Sequence, residues 1–100
     1  MSVCTVYVTP TALKEIRDLP GHMRRKLKRA MDELANNPHP ATSQRLKIPE
    51  TIPVEVWRVR LETWRIVYPV TEVEKIIDIV AVRRRPPYDY GDVQTLLNEL

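Results

Sequence analysis

Residues 54–68 read VEVWRVRLETWRIVY, two runs in which bulky apolar side chains alternate with arginine on either side of Glu62 and Thr63. Alternation with a period of two is the mark of a half-buried strand, because successive side chains leave opposite faces of the pleat. Over residues 54–61 it turns Trp57, Val59 and Leu61 one way and Val56, Arg58 and Arg60 the other. Glu62 and Thr63 are few enough for a hairpin turn. Trp64 to Val70 is then the next strand, and the turn brings Arg65 close to the first pair. Arg58 and Arg60 would stand about 7 Å apart by strand rise.

The flanking text completes a mixed fold. Upstream, SVCTVYVT has the β-branched and aromatic content of a short strand. Thr9 followed by Pro10 is a helix start, a hydroxyl that can accept an orphan N–H beside a ring whose fixed φ suits the first turn. Leu13, Ile16 and Leu19 follow at helical spacing, and Leu19-Pro20-Gly21 ends the run. In HMRRKLKRAMDELANNP, Met23, Leu27, Ala30, Met31 and Leu34 form one stripe, cations occupy the other sides, and Asn36-Asn37-Pro38 stops the helix. Residues 38–53, with four prolines, read as a surface loop. Downstream, residues 71–74 form a polar turn and Lys75 to Arg83 a third strand; its apolar center IIDIVAV suits a central strand covered on both faces. Val93, Leu96 and Leu97 mark a short terminal helix. The order β-α-α-β-β-β, with a final α, predicts a single α+β domain over residues 1–100, helices on one side of a mostly antiparallel sheet.

Composition excludes several classes of protein. One hundred residues at 43% hydrophobic content supply one core. Cys4 is the only cysteine, so the chain holds no internal disulfide and suits a reducing compartment. No apolar run approaches the roughly 20 residues that span a bilayer, and MSVCTVYV lacks the pattern of a signal peptide. The expectation is a cytoplasmic protein with no membrane partner. Residues 1–88 carry 16 Lys and Arg against 10 Asp and Glu, a formal +6, whereas DYGDVQTLLNEL carries three carboxylates and no Lys or Arg. A basic body with an acidic tail favors a polyanionic partner.

The arginines give that partner a shape. Arg83, Arg84 and Arg85 close the third strand, with Tyr88 and Tyr90 just beyond. If the face opposite the helices is open, the sheet offers a floor of guanidinium groups with phenols at its rim. Guanidinium forks match phosphate oxygens, and phenol rings stack on unpaired bases. The competing use is ion pairing of these arginines with Glu55, Glu62 or Asp78. Trp57, on the face away from the arginines, and Trp64, beside the turn, read as core. His22 and His39 read as surface residues, neither with a second ligand at metal spacing.

The order of elements and the words ELANNP, QRLK, VWRVRLETWRIVYPV and IIDIVAVRRRPPYDY resemble the RelE/ParE superfamily of type II toxin–antitoxin toxins, over roughly residues 5–90. That resemblance implies a RelE-like fold and a metal-independent endoribonuclease with no cofactor. It also implies a chain that cuts mRNA at the ribosome and is neutralized by a cognate antitoxin. Carried over by position, it assigns catalysis to Arg65, Arg85, Tyr88 and Arg60, and RNA binding to Arg58, Arg83, Tyr90 and Lys47. The tyrosine is Tyr88 or Tyr90, and Arg83 competes with Arg85. Some members place lysines where this chain has Arg58 and Arg60. A guanidinium keeps its proton up to a pKa of about 12 or above, so these two clamp well and accept protons poorly, and the hydroxyl proton must go to a tyrosine, to Glu62, to ribosomal RNA or to water. The same fold also serves DNA gyrase inhibitors of the ParE branch, and an inactive partner-binding domain is a third reading.

Overall fold

The computed structural model describes residues 3–48, 53–84, 93–98 and 100. Its elements are β1 (Thr5–Val8), α1 (Pro10–Arg17), α2 (Gly21–Asn36), β2 (Ser43–Arg45), β3 (Glu55–Leu61), β4 (Trp64–Thr71), β5 (Ile76–Ile79), β6 (Ala81–Arg84) and α3 (Val93–Leu97). One sheet runs β1-β5-β4-β3-β2, with β6 also on β4. This confirms the α+β class and the expected order of helices and strands. The Thr9 hydroxyl accepts from Ala12 N–H at 3.3 Å, capping α1 as the Thr-Pro pair predicts. Glu62 takes a left-handed φ of 58° to close the β3–β4 hairpin.

Apolar packing covers both faces of the sheet. On the first, Val59, Ile66, Tyr68, Val70, Ile77, Ile79 and Val82 meet Ala12 of α1 and Met23, Leu27 and Leu34 of α2, with Trp57 and Trp64 against them. On the second, Val56, Val67, Val80 and Ala81 meet Leu96 of α3. β4 lies between the two layers, and its residues 65–70 are all buried.

The sheet is mostly antiparallel, as expected, with β1 parallel to β5. Two expectations change. The proline-rich segment is not all loop, because Ser43–Arg45 pairs antiparallel with Trp57–Val59. The third strand, moreover, is two strands. β4 pairs Val70 with Ile77 but Val67 with Ala81, so two residues of β4 oppose three of the partner. This is a β-bulge, and Pro69, which has no N–H to give to a ladder, sits within it. The extra residue reverses the alternation: Ile77 and Ile79 face the helices before it and Val82 after it.

Tyr68 points into the helix-covered core and donates its hydroxyl to the Pro38 carbonyl at 2.9 Å, tying the exit of α2 to the sheet. Burial pushes this phenol up from 10 to about 12. A folded-state pKa above the ordinary value means that the native state holds its proton longer, so the stabilization is whole below pH 10 and is lost as pH rises toward 12. Tyr68→Phe should cost about 0.5–1.5 kcal/mol at neutral pH. Alkaline unfolding followed by circular dichroism should also show the variant losing less stability than wild type between pH 10 and 12.

Candidate functional site

Strand register assembles the arginines. Arg60 of β3 lies directly opposite Arg65 of β4, and Arg65 directly opposite Arg83 of β6. Directly opposed residues share a face, with Cβ atoms about 5 Å apart. Three arginine side chains from three strands therefore leave one face of the sheet in a transverse row. Arg83 belongs to it because of the bulge; unbroken alternation from Ile77 and Ile79 would turn residue 83 toward the helices. Arg58 stands on the same face one row along, opposite Val67.

The row differs from an open floor. Arg65, at its center, is only 2% exposed. Its Nη1 donates to the Trp64 carbonyl at 3.1 Å. Val67 and Ala81, beside Arg58 in that next row, lie in one cluster with Val56 and Leu96 of α3, so this face is partly roofed. Arg83 reaches Glu15 of α1: its Nε donates to Oε2 at 3.1 Å, while Glu15 Oε1 accepts the Val82 N–H at 3.0 Å. One carboxylate thus caps a donor of edge strand β6 and offsets one end of the charge row. Arg60 is exposed. With Arg58, Glu62 and residues 41–44 it lines an open groove of about 420 Å³. Arg58 donates to Gln44 of β2 across that groove.

The expected ion-pair partners are mostly committed elsewhere. Glu62 binds Lys26 of α2, and that hydrogen bond holds its carboxyl below the usual range, which makes it a weak proton acceptor. Glu55 pairs with Arg45 at 3.4 Å. Asp78 makes no ion pair among the described residues, and burial pushes its carboxyl up. Lys47 does not join the row; it lines a separate cleft with Arg45, Leu46 and Ile48. Arg85, Tyr88 and Tyr90 lie outside the described residues. His39 is no isolated surface residue, for its ring packs at a tilt against Trp57 and its Nε2 meets Glu72 at 2.6 Å.

Glu15, Gln44 and Lys26 were missed because each comes from an element whose own periodicity explains it without a site. Chemically, the row and groove can grip an anion: one buried and one exposed cation side by side, with Arg58 alongside. Glu15→Gln keeps an acceptor for the Val82 N–H but removes the charge opposing Arg83. It should tighten retention on heparin severalfold in salt while lowering Tm only slightly; unchanged retention would show that Glu15 does not temper the row.

The sequence matches, over residues 6–86, the family described as "ParE toxin of type II toxin-antitoxin system, parDE". No curated relative matches it. Among solved structures, it is similar to the archaeal RelE–RelB complex from Pyrococcus horikoshii, with TM-score 0.74 and 23% identity over 88% of this chain and 100% of that one. The RelBE2 toxin–antitoxin complex from Mycobacterium tuberculosis gives 0.70 and 21% over 83% and 99%. The isolated E. coli RelE toxin gives 0.69 and 20% over 94% and 98%. At these identities the structures share a fold with this chain.

Proposed function

Since the chain belongs to the RelE/ParE superfamily of type II toxin–antitoxin toxins, as its family match over residues 6–86 establishes, we propose that it is an endoribonuclease that cuts mRNA on the ribosome. The observation that carries this reading is the transverse row Arg60–Arg65–Arg83. Like charges directly opposed across strands destabilize a sheet, and an RNA phosphate would turn that repulsion into binding.

In the proposed reaction the 2′-hydroxyl gives up its proton and its oxygen attacks the adjacent phosphorus. The P–O5′ bond breaks, the 5′-oxygen takes up a proton, and a 2′,3′-cyclic phosphate remains. Arg60 and Arg65 oppose the charge that grows on the phosphoryl oxygens. Arg65, held in a site with little water, acts with little screening and little reorganization. Arg58 and Arg83 steady the flanking backbone, with Lys47 contributing only at a distance. Arg85 and a tyrosine, Tyr88 or Tyr90, complete the site by stacking on a base or moving a proton. Glu62, already ion-paired, is the least suited of the proposed bases. A cognate antitoxin is the natural anionic partner for the basic body, as in the RelE–RelB assembly that this chain resembles. The protein would act in the cytoplasm.

The second reading is gyrase inhibition, favored by the description of the matched family as ParE toxin and by the withdrawal of Arg65 and Arg83 from open solvent. Ribosome-bound mRNA and a gyrase supercoiling assay, run in parallel, separate the two. Wild type should cut the message and leave supercoiling intact, and Arg65→Ala should cut about 10²–10³-fold more slowly, the usual cost of one transition-state donor. Blocked supercoiling with intact mRNA would establish the gyrase reading, and neither effect would leave a partner-binding domain.

A further inference from the structure

His39, Glu55 and Glu72 come from three separate segments, the loop after α2, the start of β3 and the turn after β4, yet their ligand atoms all lie within 4.8 Å of one another. We propose that they form a binding site for a divalent transition-metal ion of the zinc class, on the helix-covered face and apart from the arginine row. Glu55 and Arg60 are five residues apart on β3, roughly 16 Å by strand rise, and their side chains leave opposite faces.

The histidine is held in place before any ion arrives. Its ring packs against Trp57, with centroids 4.2 Å apart and planes inclined by 43°. Its backbone N–H donates to Asn37 Oδ1 at 3.1 Å, and the neighboring Pro38 carbonyl is tied by the Tyr68 hydroxyl. Glu55 is oriented by Trp57 Nε1 at 3.4 Å and Arg45 at 3.4 Å, the outer-shell support that metal carboxylates use. Imidazole with two carboxylates suits zinc, at bonds of about 2.0–2.2 Å. Ligand atoms on a tetrahedral ion of that size stand about 3.3 Å apart. The His39–Glu72 contact of 2.6 Å must therefore open by about 0.7 Å, and Glu55 must close by a rotamer change. Both carboxylates are free enough to do so, with 39% and 61% of their side chains exposed. A water completes the shell, entering from the adjoining cavity of about 250 Å³ beside Cys4 and Lys75. The ion would staple the exit of α2 to the end of the sheet and takes no part in the proposed cleavage.

The test uses the purified full chain. Zn²⁺ is titrated by calorimetry, and Co²⁺ serves as the probe of coordination by its visible absorption. Wild type should bind one ion per chain, show a tetrahedral Co²⁺ spectrum and gain several degrees in Tm with Zn²⁺. Glu72→Gln, nearly isosteric at an exposed position, should keep the fold by circular dichroism, bind at least tenfold more weakly and lose the Tm gain. Arg45→Ala, which removes one of the two groups that orient Glu55, should weaken binding less than Glu72→Gln and leave the tetrahedral Co²⁺ spectrum in place. Absence of saturable binding in wild type, or equal binding by Glu72→Gln, would overturn the proposal and leave His39 and Glu72 as an ordinary ion pair.

Discussion

Between Ile77 and Ala81 the partner of β4 carries one residue more than β4 itself, and that excess decides which side chains can meet. Alternation is strict within a strand, so a single inserted residue exchanges the faces of everything beyond it. Ahead of the bulge the outward side chain is Asp78; past it, Arg83 comes level with Arg65 and Arg60. The fold thereby places three cations in register, an arrangement that backbone pairing alone would not favor. Opposed like charges cost about 0.2–1 kcal/mol per pair. Glu15 relieves one end of the row, and the other end, at Arg60, faces the groove beside β2.

The sheet can hold a buried cation at its center because both of its faces are packed. α1 and α2 supply the larger layer; Leu96 of α3 supplies the smaller one, in a cluster whose Val67 and Ala81 stand in the row next to the arginines. Removing Arg65 from water costs several kcal/mol before compensation, part of which the Trp64 carbonyl returns. A guanidinium fixed in this way is a preorganized charge, and charge that need not reorganize is what a phosphoryl transition state uses best. The exposed Arg60 provides the entry, so the pair combines access on one strand with fixed orientation on the next.

Much of this was legible in the sequence, and the parts that were not share a physical cause. Thr9-Pro10 announced α1, the Met23, Leu27 and Leu34 stripe announced α2, and the alternation through Trp57, Arg58, Val59 and Arg60 gave both the hairpin and the separation of tryptophans from arginines. The bulge was hidden because IIDIVAV is apolar almost throughout, and a run without contrast cannot display a change of phase. β2 was hidden because Ser-Gln-Arg has no apolar alternation; it is a strand only because β3 offers it an edge. Glu15 and Arg83, 68 residues apart, meet through the packing of α1 along β6. His39, Glu55 and Glu72 likewise have no motif spacing. The open floor expected for Arg65 failed because the terminal helix, recognized as a helix, gave no sign of where it would dock.

Arg60→Met tests the central claim most directly, since it removes one charge from the row while keeping an apolar stem of similar length. The free protein should become more stable as the repulsion is relieved, with a Tm a few degrees above wild type. Its binding to single-stranded RNA should weaken, and the dependence of log K on log salt should flatten by about 0.7, the loss of one phosphate contact. A lower Tm together with unchanged RNA affinity and salt dependence would contradict the account, for the row would then be part of the scaffold and not a seat for phosphate.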